Sequence, residues 1–421
     1  MEGHETIGLI LSNPKPLREG QSLLPILGTP NMATLTIVDD EASNEPAGLI
    51  DSSFVTVGGS DDSVQVLEMQ GDSKILIGGG FNLVNGLVRN GLARLNSDGN
   101  IDFAVPASAS RTLTVLIADD SGDIISNQHL HVGEGPTWVT SADLNQDGHL
   151  DLVTTNTGAG SLSLYYGNGK GDFSGRIDID DIHGPSCVVT GDFNNDGISD
   201  LAVAQAGLSK VVVLTNDSSG VPKKSFTVDV ERGPHIMDGV DLNLDGIPDL
   251  VVGSLGSHTL SIMLGKGDGE FKEANIVKTG RFPHYRTYGD WNTDGNLDLA
   301  VVVAGEESIE VYRGDGLGNF KMLSRHETGV NPHGLTSGDF NQDGNLDLAV
   351  SNRTSGGITI FLGKGNGNFE NTSSIYTGND GIAIANGDFD GDGAIDLAMV
   401  SASSHSLLFY RGDGKGGFNP W

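Results

Sequence analysis

One nine-residue acidic stretch returns along this chain at a fixed interval, and that interval limits the folds available to it. DLNQDGHLD begins at Asp143, DFNNDGISD at Asp192, DLNLDGIPD at Asp241, DWNTDGNLD at Asp290, DFNQDGNLD at Asp339 and DFDGDGAID at Asp388, each 49 residues after the last. One period before Asp143 the chain reads RLNSDGNID from Arg94, the same frame without its first carboxylate. Seven units share one register. Within each the order is constant: a Pro-led strand such as PHGLTSGD, the acidic loop, an apolar strand such as LDLAVS, a strand such as GITIFLG, a GxGxGxF turn and a last strand. Four short strands in a period of 40 to 50 residues are the signature of a propeller blade, which buries its faces against its neighbours. The expected fold is all-β, a seven-bladed β-propeller of four-stranded blades.

The acidic loop offers only hard oxygen donors. The candidate sets are Asp143, Asn145, Asp147, His149 and Asp151; Asp192, Asn194, Asp196, Ile198 and Asp200; Asp241, Asn243, Asp245, Ile247 and Asp249; Asp290, Asn292, Asp294, Asn296 and Asp298; Asp339, Asn341, Asp343, Asn345 and Asp347; and Asp388, Asp390, Asp392, Ala394 and Asp396. Side chains at positions one, three, five and nine and the main-chain carbonyl at seven are the ligands, so His149, Ile198, Ile247, Asn296, Asn345 and Ala394 enter through their backbone. Zinc or copper would want recurring His or Cys, whereas calcium takes six to eight oxygens in flexible geometry. About six calcium ions are expected. An EF-hand is excluded, because its closing acid lies at position twelve and a helix follows, where this chain has a strand. Gly148 and its equivalents permit the bend that wraps the loop.

Composition agrees. The 421 residues carry 56 acidic and 24 basic side chains, a formal charge of −32, which argues against nucleic acid or an anionic membrane as partner. Filling six loops with divalent ions would bring that to about −20. Cys187 is the one cysteine, so no disulfide forms within the chain, and it reads as a small buried hydrophobe. No apolar run approaches a membrane span, and MEGHETIGLILSNPKP has no features of a secretory leader, which leaves another export route or a piece of a longer chain.

On these loops, spacings and turns, residues from about 94 to 421 resemble FG-GAP or VCBS repeats, the propeller units of the integrin α-chain head. That resemblance implies calcium on one face and ligand recognition on the other. Residues 71 to 105 are also similar to a delta-sixty type of propeller repeat, and Arg94 puts a seventh calcium site in doubt. Residues 5 to 43 resemble the closing strands of a Calx-beta sandwich, too few for a two-sheet core, so a β-hairpin fragment is expected. The expected division is 1–43 for this segment, 44–60 for a linker and 61–421 for the propeller. The chain stops before an evident fourth strand in its last unit, and ILIGGGFN, residues 75 to 82, is expected to supply it and close the ring. The turn phenylalanines Phe173, Phe271, Phe320, Phe369 and Phe418 are expected to wedge between blades.

Prolines 136, 185, 234, 283 and 332 open the innermost strand, which places Thr137, Ser186, His235, His284, His333 and Ile382 at the channel mouth opposite the calcium loops. Three imidazoles there could bind a transition metal or an acidic or sugar ligand; alternatively each caps its strand. Arg286 and Asp238 stand where other units are apolar or neutral, and are expected to pair between units or line the channel. Asn156, Gln205, Asn352 and Arg353 are expected to reach the same face. Two Arg-Gly-Asp tripeptides, 313–315 and 411–413, read as variants of the glycine turn. With no nucleophile and base, no paired carboxylates outside the repeat and no cofactor loop, the expectation is not an enzyme but a monomeric, calcium-binding extracellular or surface module that recognises a protein or glycan. A scaffold within a larger secreted protein, and a propeller lyase or hydrolase, are the alternatives.

Overall fold

A computed structural model describes the strands Gly8–Leu11, Leu35–Val38, Val64–Met69, Ile75–Gly79, Leu83–Val84, Leu87–Val88 and Phe103–Ala107, then residues 110–118, 124–217, 219–376, 381–388, 392–401 and 406–420. The fold is all-β. One 3-10 turn, Ala304–Glu306, is the single helical element among the described residues.

Six four-stranded antiparallel sheets follow one another in chain order, starting at Pro136, Pro185, Pro234, Pro283, Pro332 and Gly381, and each runs through its four strands in sequence. A three-stranded sheet, Phe103–Ala107, Thr112–Ala118 and Ile124–His131, precedes them. This is a propeller arrangement. The second strands, such as Asp151–Asn156, Asp200–Gln205 and Asp347–Asn352, are buried along their whole length, as a continuous apolar run with both faces covered must be. The fourth strands are mostly exposed, as in Phe320–Glu327. The core lies between neighbouring sheets: Val153, Leu162 and Leu164 of one pack with Val188, Leu201, Val203 and Leu214 of the next.

Aromatic pairs bridge the same gaps on the acidic-loop side. The loop residue at position two meets the turn phenylalanine of the following unit edge to face: Phe193 and Phe271 at 5.5 Å, Trp291 and Phe369 at 6.2 Å, Phe340 and Phe418 at 5.5 Å.

The strand that completes the last unit is not the expected one. Phe418–Pro420 pairs with Ser406–Gly412 as its fourth strand, and Ile75–Gly79 pairs with Val64–Met69 instead. The final GGFNP is the ordinary glycine turn with three residues left over, enough for the first three rungs of a ladder. Gly8–Leu11 pairs with Leu35–Val38, and the rest of residues 5 to 43 lies outside the described residues.

Phe340 is 1% exposed, so Phe340→Ala should cost about 3–5 kcal/mol in guanidinium unfolding, while Leu317→Ala, at a side chain 71% exposed, should stay within about 0.5 kcal/mol.

Candidate functional site

Each acidic loop is held by its last carboxylate. Asp151 is fully buried and accepts the Leu144 N–H on one oxygen, at 2.9 Å, and the Gly167 N–H on the other, at 3.0 Å. The same clasp joins Asp200 to Phe193 and Asn216, Asp249 to Leu242 and Gly265, Asp298 to Trp291 and Gly314, and Asp347 to Phe340 and Gly363. Asp396 accepts the Gly412 N–H. Five of the six turns have glycine there and Asn216 takes the place in the other; where it is glycine, space is tight, since a Cβ on Gly363 would lie 2.2 Å from the Leu346 carbonyl oxygen and one on Gly314 2.1 Å from that of Leu297.

Position one organises the curl. Asp143 accepts the N–H groups of Asp147 and Gly148, and Asp147 accepts that of His149, a pattern repeated from Asp192, Asp241 and Asp339. Asp290 likewise accepts from Asp294 and Gly295, and Asp388 from Gly393. Position six is left-handed glycine, Gly148 at φ 87°, with nothing within 4 Å of a notional Cβ, so conformation alone demands it. Position four is left-handed without being glycine: Gln146, Asn195, Leu244, Thr293 and Gln342 have φ between 57° and 59°. Such residues cost of order 1–3 kcal/mol and persist only where the surroundings over-determine them. Asp390 lies outside the described residues.

Five of the clasping carboxyls are pushed up to about 6, first by burial, against the two N–H bonds, and further by the carboxylates at positions one and five. Among the described residues no three His, Cys, Asp or Glu side chains converge as a metal cluster. At position one, Asp143, Asp192, Asp241, Asp290 and Asp339 each accept one backbone N–H on either oxygen and keep a second lone pair there for a cation, whereas both Asp298 oxygens also accept the Asn292 side-chain amide. The donor chemistry therefore fits calcium, with Asn side chains and position-seven carbonyls completing an oxygen-only set.

On the opposite side, the rings of His284 and His333 lie 4.9 Å apart and Tyr285 lies 5.3 Å from His333. His284 is held down to about 4 by burial, then by the neighbouring His333, His235 and Arg353. Burial also lowers His235. Arg353 is exposed, but Asn156, Gln205 and Asn352 are not surface groups: they are at most 5% exposed and bond within the core, Asn156 to Ser161 and Ser163, Asn352 to Thr359. They terminate buried strands, whose last polar groups need partners inside the protein.

Arg286 and Asp238 pair across two sheets. The Arg286 side chain is 1% exposed; its Nε donates to Asp238, and its Nη2 donates to the Ile236 and Val251 carbonyls at 3.1 and 2.9 Å. Tyr288 donates to the same Asp238 oxygen at 2.7 Å. Burial would lower the Arg286 pKa, but the Asp238 charge reverses that and raises it. Gly253 makes the room, since a Cβ there would lie 2.8 Å from Arg286 Nη1. Sequence reasoning missed Gly253, although its equivalents, Thr155, Ala204, Val302 and Ser351, all carry a Cβ. Cys187 is buried and its thiol is pushed up to about 12 by burial, so it is inert packing. Both Arg-Gly-Asp stretches are hairpin turns: Asp315 accepts the N–H groups of Leu317 and Asn319, and Asp413 those of Lys415 and Gly417.

The model of the FG-GAP-like repeat matches residues 94–154, 143–203, 241–301, 290–350 and 339–399, more than half of the chain. The chain belongs to the FG-GAP-like repeat family. A β-propeller domain of unknown function matches residues 70–102 of this FG-GAP-like repeat protein. None of the curated proteins is similar enough to match it. Solved structures share its fold: Sqt1 of Saccharomyces cerevisiae (TM-score 0.63, 11% identity, 84% of this chain and 97% of that one), a periplasmic gluconolactonase of Pseudomonas aeruginosa (0.52, 15%, 77% and 96%) and a putative 6-phosphogluconolactonase of Bacteroides fragilis (0.52, 16%, 78% and 92%). The expectation that the chain is not an enzyme is corrected by this finding. Two of these propellers are named as lactonases, so the fold does not exclude catalysis, and at this identity the likeness is one of fold alone.

Asp238→Ala leaves a buried guanidinium without its counter-charge and should cost about 3–5 kcal/mol in denaturant unfolding; Arg286→Met in that background should recover most of the loss.

Proposed function

We propose that the chain is a calcium-stabilised propeller of seven FG-GAP-like blades, from an extracellular or surface protein, that binds a protein or glycan on the face opposite the acidic loops. The observation that carries this reading is the oxygen-only loop itself, repeated six times with a left-handed glycine and a buried closing carboxylate, and in five of the six with a second left-handed residue at position four. Three carboxylates in nine residues repel one another unless a cation sits among them. Loops of this type suit the millimolar calcium found outside cells. No helix among the described residues is long and apolar enough to cross a membrane.

Seven blades follow from the seven units in one register, and ring closure is supported by Val64–Met69, which packs beside Gly381–Gly387, the first strand of the last sheet. We read residues 71 to 105 as a delta-sixty-like repeat, a reading that the propeller match at 70–102 supports, and residues 5 to 43 as a Calx-beta remnant.

Calcium should raise the melting temperature, each site contributing about 2.7 kcal/mol at a hundredfold excess over its Kd. An unchanged midpoint between chelator and millimolar calcium would refute the metal reading. The pH dependence has a defined sign. With the clasping carboxyls raised from 3.8 to about 6, the metal-free fold keeps their contribution below about pH 4 and loses it as pH rises through about 6. Calcium competes with those protons, so its stabilising shift should be small at about pH 5 and full above about pH 7, as scanning calorimetry would show.

A further inference from the structure

All three mouth histidines sit at the extra residue of a one-residue bulge that every four-stranded sheet carries after its first position. In the sheets opening at Pro283 and Pro332 the next rung is open as well, Tyr285 standing opposite Val302 and Gly334 opposite Ser351. Such bulges re-aim side chains at the rim of a sheet. Here they bring the His284 and His333 rings to 4.9 Å, with Tyr285 against His333.

At the equivalent places polar side chains cap the backbone or bond to one another. Ser186 donates to the Ala204 and Pro234 carbonyls, and Thr137 bonds Thr155 and Thr157. His284 differs, because its Nδ1 is buried with no partner among the described residues. A proton on that nitrogen would be a buried donor without an acceptor, so the neutral ring carries its proton on Nε2. A metal-ligating imidazole has the reverse arrangement: it gives its bare nitrogen to the metal and donates from the other to an acceptor, which His284 Nδ1 lacks. The groups whose charge acts on His284 are His333, His235 and Arg353, all donors or cations, and burial keeps the Tyr285 hydroxyl a neutral phenol. In a chain of net charge −32, binding an anion needs a local cluster of this kind.

We propose that His284, His333 and Arg353 form a binding site for a small oxyanion, carboxylate or phosphoryl, at the channel mouth opposite the acidic loops. The site stands whether or not those loops hold calcium. The oxyanion takes the Nε2–H of the neutral His284 ring together with the constant charge of Arg353.

The test is histidine-selective carbon-13 NMR of the full chain at about pH 6, titrated separately with inorganic phosphate, glucuronate, methyl glucoside and zinc, the His284 resonance being assigned with His284→Gln. The expected result is a saturable His284 shift with phosphate or glucuronate and none with methyl glucoside, weakened at least about tenfold in Arg353→Gln without change in melting temperature. A response to phosphate alone assigns a phosphoryl ligand, and one to glucuronate alone a carboxylate. No shift with either anion, a shift with zinc alone, or equal affinity in Arg353→Gln would overturn the proposal; if His284→Gln does not fold, the Arg353→Gln comparison decides.

Discussion

A buried carboxylate that takes one N–H from its own loop and one from a turn sixteen residues on is the contact on which the rest of this structure depends. Asp151 and its equivalents tie the first connection of each unit to the third, so the acidic loop and the glycine turn form one rigid corner. That corner seats the next unit. The position-two carbonyls of Phe193, Trp291 and Phe340 accept the Gly269, Gly367 and Gly416 N–H groups of the following turn, beside the aromatic pairs. Where the third sheet has lost its glycine turn, Asn216 keeps both functions, giving its N–H to Asp200 and its side-chain amide to the Leu144 carbonyl. Hydrogen bonds to a charged acceptor are the stronger kind, and burial keeps water from competing for them.

Against that uniform frame the exceptions cluster. Asp238, Gly253, Arg286 and Tyr288 form one buried network between two consecutive sheets, and His284, Tyr285 and His333 gather at the start of neighbouring first strands. Glu310 is a further departure, fully buried between Arg325, the Tyr312 hydroxyl and the Gly280 N–H. A repeat can vary its exposed fourth strands freely, but a charge placed inside needs a partner and a matching space, and both are present here. The departures therefore mark the sector in which this chain differs from a bare repeat, and it is the sector that carries the His284–His333 pair.

Much of this was legible in the letters. The 49-residue period, the switch from acidic loop to apolar strand and the GxGxGxF turn are local signals, and the sheet order follows them unit by unit. The Arg286–Asp238 pair was also readable, because two opposite charges break the register in adjacent units. Less visible was anything that depends on distance through space. Position-nine aspartate reads as a metal ligand, and its clasp on the turn appears only as a constant spacing from Asp151 to Gly167, or Asp347 to Gly363, whose meaning needs the fold. Asn156, Gln205 and Asn352 look like surface polar groups because sequence does not show that the second strand is buried to its last residue. The fourth strand at Phe418–Pro420 is not legible in the sequence because three residues carry too little pattern, although the clasped turn delivers them already aligned.

The most direct test of the account is an anomalous difference map from a crystal grown in millimolar calcium. Each of the six loops should hold one peak, enclosed by the oxygens of positions one, three, five, seven and nine. Loops without peaks, with the position-one and position-five carboxylates turned to solvent, would contradict it.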